Sequence, residues 1–103
     1  MGISRIGIIG AGQMGSGIAH VMALANYEVM LTDVSKEHLN SANSKIAQNL
    51  ERQILAKKIS KSQCAQALEN LTATTDLEVV ADTDLIIEAV NEKEELKLSL
   101  IHI

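Results

Sequence analysis

Three glycines near the N-terminus constrain the fold of this chain more than any other feature. They lie in the segment IGIIGAGQMGSGIAH, residues 6–20, and are spaced G-x-G-x-x-G at Gly10, Gly12 and Gly15. An apolar run precedes them, and a helical pattern follows without a break. A strand that passes into a helix through such a turn is typical of the start of a parallel βαβ unit.

Each glycine has a specific role if this turn holds a pyrophosphate. Gly10 permits the tight turn, Gly12 lets the backbone approach the phosphates, and Gly15 allows close contact between helix and strand. The helix N-terminus adds free N–H groups and the positive end of the helix dipole. The motif alone is a weak signal, so a glycine-rich turn without a ligand is the alternative. The strand before the turn and the helix after it favour a dinucleotide site.

A carboxylate stands at the position where such a site needs one. Asp33 follows the apolar run 29–31 and lies 18 positions beyond Gly15. There it would accept hydrogen bonds from the adenosine ribose hydroxyls and repel a 2′-phosphate. No arginine follows within the next few residues, so we predict NAD rather than NADP as the cofactor. Alternatively, Asp33 only caps the turn before the helix that starts near Ser35, and both roles can coexist.

The length and composition bound the class of protein. At 103 residues the chain is one domain or less, and its net charge of −4 argues against nucleic acid or an anionic membrane as partner. The single cysteine, Cys64, excludes an internal disulfide and fits a reducing compartment. Its position in an amphipathic pattern favours a small core residue over a nucleophile. Without a signal peptide pattern, we expect a cytoplasmic protein, or one in the matrix of an organelle if a transit peptide was removed.

Strand and helix patterns alternate along the chain, which predicts an α/β fold. We expect strands at about 3–9, 28–32, 72–75 and 84–90, and helices at about 13–25, 36–58, 60–70 and 92–97. The expected architecture is a Rossmann-type, doubly wound parallel sheet that is incomplete, with about four strands and the second half missing. The first helix has one apolar face at helical spacing, formed by Ile18, Val21, Met22 and Ala25.

Three separated motifs together resemble one enzyme family. The glycine segment, Asp33 and the segment DLIIEAVNEKEELK at 84–97 are similar to the N-terminal domain of the 3-hydroxyacyl-CoA dehydrogenases, particularly the short-chain 3-hydroxybutyryl-CoA type. The resemblance implies that the ribose binds Asp33 and that the cofactor phosphates lie over Gly10, Gly12, Gln13, Met14 and Gly15. It implies that the Ala89–Val90 backbone passes near the ribose on the nicotinamide side. It also implies that Glu92 and Lys97 border the site, although two solvated charges are the alternative for that pair.

The same resemblance implies what the parent enzyme does. It would transfer hydride between NAD and the C3 hydroxyl of a short-chain 3-hydroxyacyl-CoA, and it would form a homodimer through a C-terminal domain. The His–Glu pair that transfers the proton in this family lies beyond the matched segment. We therefore expect no catalytic residue here and no activity from the chain alone. Lys57 and Lys58 resemble the lobe that meets the CoA nucleotide, with a solvated helix end as the alternative.

The remaining expectations concern the histidines, the C-terminal end and the competing functions. His20 and His38 lack a spaced metal-ligand or acid–base partner, so we expect structural or surface roles and no metal site. Residues 98–103, LSLIHI, match the translation of a transposon end used for sequencing libraries. We therefore expect a partial dinucleotide-binding domain at 1–97 and a non-native tail at 98–103.

Two other functions remain as alternatives to the 3-hydroxyacyl-CoA dehydrogenase. They are a free-standing, non-catalytic dinucleotide-binding module and a related hydroxyacid dehydrogenase.

Overall fold

Four parallel strands form the centre of the sheet in the computed structural model. The structure describes residues 2–92 and 95–102, and from residue 90 onward it describes the backbone only. The strands are β1 (Arg5–Ile9), β2 (Glu28–Thr32), β3 (Leu71–Thr74), β4 (Leu85–Glu92) and β5 (Glu95–His102). The helices are α1 (Gln13–Leu24), α2 (Lys36–Leu55) and α3 (Lys61–Asn70), with a 3₁₀ helix at Leu77–Asp82 that the sequence pattern did not predict.

The strand order places a topological switch beside β1. The order across the sheet is β3-β2-β1-β4-β5, and all pairs except β4–β5 are parallel. The chain therefore moves outward from β1 to β3 and then crosses back to pair β4 with the other side of β1. In open α/β sheets, ligands bind at the carboxyl ends of the strands at such a switch point. This arrangement confirms the predicted Rossmann-type fold with four parallel strands.

The core is aliphatic and centred on β1 and β2. Ile6, Ile8, Val29 and Leu31 lie on one face of the sheet by their register, and they are essentially inaccessible to solvent because helix residues pack against that face. The hydroxyl of Thr32 is also buried, and it donates to the carbonyl oxygen of Ile8 at 2.9 Å. This bond fixes the ends of the two strands against each other directly below the glycine turn.

The packed face of α1 differs from the predicted apolar face. Val21 is 60% exposed and Ala25 is also exposed, while Gly15, Ala19 and Ala23 are buried. These small residues recur every fourth position and lie on one side of the helix. They allow the backbone of α1 to come close to the sheet, which larger side chains on that face would prevent. The prediction was therefore wrong for Val21 and Ala25, whereas Ile18 and Met22 are half-buried and pack against the core as predicted.

The next two helices follow their sequence patterns more closely. Leu39, Ala42, Ile46 and Leu50 form the buried face of α2. The helix ends at Leu55, three residues before the predicted end, because Lys57 adopts a left-handed conformation with φ of 59°. The spacing of Ser60 and Gln63 in the sequence predicts a capping box at the start of α3, and the structure confirms it. Ser60 Oγ accepts from Gln63 N at 3.1 Å, and Gln63 Oε1 accepts from Ser60 N at 2.8 Å.

The predicted helix from Glu92 is wrong. Glu92 is the last residue of β4, and Lys97 lies in β5 opposite Val90. The segment EKEELK read by itself favours a helix. Beyond it, LSLIHI is rich in residues that favour strands. Without β5, the outer edge of β4 would expose unpaired N–H and C=O groups, so antiparallel pairing outweighs the local helix preference.

An aspartate ties the amino ends of β1 and β4 together. Asp84 Oδ2 accepts from Ser4 N at 2.9 Å, from Ser4 Oγ at 3.2 Å and from Arg5 N at 3.0 Å. The backbone N–H groups of Ser4 and Arg5 hold the pKa of the Asp84 carboxyl below its usual value. This tether lies at the opposite end of the sheet from the switch point. In the described parts of the chain, no helix has both the length and the apolar character needed to cross a bilayer.

Candidate functional site

The glycine turn begins where β1 ends. Gly10 has a φ of 107°, which side chains strongly disfavour, so glycine is required at this position by the backbone alone. The Gly10 N–H donates to the carbonyl oxygen of Thr32 at 2.8 Å. The turn is thereby fixed to the end of β2 before the chain enters α1.

Gly12 and Gly15 differ in what a side chain would meet. A Cβ at Gly15 would lie 1.7 Å from the carbonyl oxygen of Gly10, so any larger residue collides with the backbone of the turn. A Cβ at Gly12 would meet nothing within 4 Å, and its φ of −74° suits any residue. Gly15 is thus required by packing, while nothing within the described chain requires glycine at position 12. The open space above Gly12 is what close approach of a pyrophosphate needs.

The N-terminus of α1 is left uncapped. Gly12 is the N-cap residue and offers no side chain, and the first turn contains no acidic residue. The first N–H groups of a helix have no partner within the helix, and they carry the positive end of the dipole. Backbone N–H groups of the first turn, which includes Gln13 and Met14, are therefore suited to an anion such as a phosphate.

Asp33 lies beside this helix end, directly after β2. Its Oδ2 accepts from Ala11 N at 2.8 Å, and its Oδ1 accepts from Ser35 N at 2.8 Å. Partial burial by itself raises the pKa of the Asp33 carboxyl. The hydrogen bonds from Ala11 and Ser35, together with His38, outweigh burial, and the pKa lies below its usual value. The carboxylate is therefore ionised at neutral pH, and it links the glycine turn to the start of α2.

Sequence reasoning missed two residues at this site. The Ala11 N–H holds the carboxylate, and His38 Nδ1 lies 3.3 Å from Asp33 Oδ2. The prediction that His38 lacks a partner was therefore wrong. A signal was available, because His38 is the third residue after the N-cap Ser35, one turn into the helix that directly follows Asp33. Residues at this helix position face back toward the cap.

The other predicted cofactor residues lie on the far side of the turn. Glu88 pairs with Ile9, so Ala89 and Val90 continue past the end of β1 beside the glycines. Ala89 is buried. The side chains of Val90, Glu92 and Lys97 lie outside the part of the chain whose side chains the structure describes. Asp33, directly after β2, and Ala89, the first residue of β4 beyond its pairing with β1, thus flank the turn from opposite sides.

Two further groups lie away from this turn. A groove of about 790 Å³ between α1 and α2 contains His20, whose Nε2 lies 2.9 Å from Gln53 Oε1. Lys57 and Lys58 are exposed at the end of α2, and Cys64 is half-buried against the core. Within residues 2–92 and 95–102, no three histidine, cysteine or acidic side chains cluster as metal ligands do.

Comparison with known proteins gives a consistent result. Residues 5–102 match the family model described as 3-hydroxyacyl-CoA dehydrogenase, NAD binding domain. A 3-hydroxybutyryl-CoA dehydrogenase of Bradyrhizobium diazoefficiens is 46% identical over 97% of this chain, which covers 34% of that protein.

Solved structures agree with the sequence comparisons. The crystal structure of FadB2 of M. tuberculosis has a TM-score of 0.86 and 42% identity, over 91% of this chain and 33% of that one. That of (S)-3-hydroxybutyryl-CoA dehydrogenase PaaH1 from Ralstonia eutropha has a TM-score of 0.85 and 33% identity, over 89% of this chain and 32% of that one. The chain therefore spans about a third of the length of these relatives.

Proposed function

Because this chain belongs to the NAD-binding domain family of the 3-hydroxyacyl-CoA dehydrogenases, we propose that it binds NAD across the glycine turn between Asp33 and Ala89. One observation carries the proposal. The uncapped N-terminus of α1, with open space above Gly12, lies beside an ionised carboxylate that has acceptor capacity to spare. This pair of features fits the two polar parts of the adenosine half of the cofactor, the pyrophosphate and the ribose diol.

The pyrophosphate belongs at the start of α1 in this proposal. N–H groups of the first turn, formed by Gln13, Met14 and Gly15, supply donors to the phosphate oxygens. Gly10 and Gly15 keep the turn and helix in contact, so that these donors are already positioned. Gly12 leaves room for the phosphates to reach the backbone.

The ribose of the adenosine belongs at Asp33. A carboxylate can accept about four hydrogen bonds, and the described chain uses two backbone N–H donors and one imidazole contact. The remaining acceptor capacity suits the 2′- and 3′-hydroxyls. Because the pKa of the Asp33 carboxyl is lowered, its negative charge is present at neutral pH and opposes a 2′-phosphate. This supports NAD over NADP.

The nicotinamide half extends toward β4 in the same proposal. The Ala89–Val90 backbone passes beside its ribose, and Glu92 and Lys97 border the site. The register of β4 against β1 supports this placement, since it carries Ala89 past the end of β1. When bound, NAD supplies the hydride-accepting ring, and the chain supplies binding and orientation.

The test is calorimetric titration of NAD into the 103-residue chain and into two glycine variants. Gly12→Ala places a methyl group where the phosphates approach, and we expect roughly tenfold weaker binding, the size of one good polar contact. Gly17→Ala is the matched control, because it adds the same methyl group to open space one turn further along α1. Equal affinities of the two variants, or no binding of NAD to the unchanged chain, would contradict the proposal.

For the whole protein we propose NAD-dependent interconversion of a short-chain 3-hydroxyacyl-CoA and its 3-keto form. We further propose a homodimer formed through a C-terminal domain, and a cytoplasmic location. The names of the relatives support the reaction, and the half-buried free thiol of Cys64 is compatible with a reducing compartment. The chain alone should bind NAD but not oxidise NADH with acetoacetyl-CoA. Absorbance at the NADH band tests this, and turnover by the purified chain would refute it.

We also propose that the native domain occupies residues 1–97 of this sequence and that 98–103 are not native. The identity of LSLIHI with a translated transposon end supports this idea. The antiparallel β5 also takes the edge of β4 where a complete doubly wound sheet has its next parallel strand. Reading the genomic codons from position 97 onward is the test. A genomic frame that encodes LSLIHI would end the proposal and leave β5 as a native strand.

A further inference from the structure

His38 lies beside the carboxylate at the ribose end of the site. Its Nδ1 is 3.3 Å from Asp33 Oδ2, the same oxygen that accepts the Ala11 N–H at 2.8 Å. The His38 side chain is 65% exposed, whereas that of Asp33 is 11% exposed. The imidazole is therefore the solvent-exposed partner of this pair, within hydrogen-bonding distance of the carboxylate.

We propose that His38 is a specificity residue for the 2′ position of the adenosine ribose, and that its protonation relaxes the preference for NAD over NADP. The inference rests on the proposed function, because it assumes that Asp33 receives the ribose. It assigns His38 a role that neither the glycine turn nor the position of Asp33 implies.

A 2′-phosphate bound beside Asp33 would meet a net charge that depends on whether His38 is protonated. With a neutral imidazole, the Asp33 carboxylate alone faces that position and repels a phosphate. A protonated imidazole places a positive charge 3.3 Å from the carboxylate oxygen, so the repulsion is largely cancelled and a phosphate gains a cationic neighbour. Histidine is the side chain whose charge ordinarily changes between about pH 5 and 8.

The other charged groups near His38 form a constant background in the test. Asp33 reaches it from the end of β2, and Lys36 and Glu37 lie on the same first turn of α2, both exposed. From the glycine turn, the Ala11 N–H places a partial positive charge next to the shared carboxylate oxygen. All of these groups are retained in each variant of His38.

The experiment measures the ratio of the dissociation constants of NADP and NAD by calorimetry at about pH 8 and pH 6. In the unchanged chain we expect this ratio to fall on acidification by about threefold to fivefold more than in His38→Gln, the size expected for an exposed charge pair. His38→Gln keeps a polar side chain that cannot ionise. It therefore reports the contribution of the 2′-phosphate, which titrates near pH 6 itself.

A permanent cation provides the second variant. We expect His38→Arg to show the low ratio at both pH values, with no more pH dependence than His38→Gln. His20→Gln is the control, because His20 pairs with Gln53 in the groove between α1 and α2 and should leave the pH dependence unchanged. Thermal unfolding of each variant verifies that the chain is folded.

The outcomes separate this inference from the proposed function. If NAD does not bind to the unchanged chain, the proposed function fails and this inference fails with it. If NAD binds and Asp33→Asn weakens it, but His38→Gln keeps the full pH dependence or His38→Arg leaves the ratio high, only the role of His38 is overturned.

Discussion

The N-termini of α1 and α3 show two opposite ways to treat the same backbone groups. At α3, Ser60 and Gln63 exchange side chain to backbone hydrogen bonds, so orphan N–H groups find partners within the chain. At α1, Gly12 offers no side chain and the first turn has no acidic residue. One helix end is closed by its own sequence, and the other is left open to an external anion.

The difference shows where the chain gives up stability for binding. A glycine at the N-cap costs a helix only a few tenths of a kcal/mol relative to a capping side chain, so α1 gives up a small amount of stability at the mouth of the proposed site. The open end is flanked by Asp33, which fixes the position of the turn through Ala11 but does not cap α1. An uncapped helix end beside a fixed carboxylate is therefore a stronger indication of a ligand site than the glycine spacing alone.

The largest effect on stability should come from disrupting the close contact between α1 and the glycine turn, directly beneath the uncapped end of α1. Gly15→Ala puts a methyl group 1.7 Å from the carbonyl oxygen of Gly10, and helix and turn must separate. We expect the free energy of unfolding to fall by about 3 kcal/mol, with loss of NAD binding. Urea denaturation measures the first effect and calorimetry the second. A variant with an unchanged urea midpoint would show that the turn tolerates a side chain.

Giving α1 the cap that it lacks should separate stability from binding. In Gly12→Asp, a carboxylate can accept the free N–H groups and occupy the place of the phosphates, at a position where the backbone tolerates any residue. We expect NAD affinity to fall by about a hundredfold, while the free energy of unfolding stays level or rises slightly. Unfolding and titration of the same preparation test both halves. An unchanged NAD affinity in Gly12→Asp would contradict the proposal that the phosphates bind at the N-terminus of α1.

Removing the cap from α3 is the reverse experiment. Ser60→Ala deletes the acceptor for the Gln63 N–H and should lower the free energy of unfolding by about 1 kcal/mol. NAD affinity should not change, because α3 begins away from the glycine turn. Urea denaturation and NAD titration of this variant provide the measurements. A parallel loss of affinity would mean that the two helix ends are coupled.

The smallest effect is expected for the acid stability of Asp84, which ties the amino ends of β1 and β4 together. The pKa of the Asp84 carboxyl is lowered below 3.8, chiefly by the Ser4 N–H, so its stabilising effect is present above that pH. That contribution disappears as the pH falls from about 3.8 through the lower folded value. We expect Asp84→Asn to show a smaller loss of stability on acidification than the unchanged chain. Asp82→Asn is the control, and equal acid sensitivity of both variants would rule out the tether.

Features encoded within a few adjacent residues could be predicted from the sequence. The glycine turn, Asp33 and the Ser60–Gln63 box all have local chemical signatures, and the alternation of strands and helices gave the parallel sheet. The structure agrees with these because each depends on backbone geometry close to the residue itself.

Features that depend on distant partners were missed. The buried face of α1 is set by how closely the helix approaches the sheet, so the small residues lie inside rather than Val21. The strand β5 forms because β4 has an unpaired edge, against the helix preference of its own first residues. The contact between His38 and Asp33 is a different case, because the two residues are only five positions apart and the place of His38 three residues after the N-cap Ser35 was an overlooked signal.

The hydrogen bond from Ala11 to Asp33 has a consequence for the kinetics of recognition. Together with the bond from Gly10 to Thr32, it holds both residues that lead into the open helix end before any ligand arrives. Because the glycine turn is already ordered, little conformational entropy is lost when a cofactor binds to it. Amide hydrogens of Gly10 and Ala11 should therefore exchange slowly with solvent even in the ligand-free chain, as expected for a preorganised binding site.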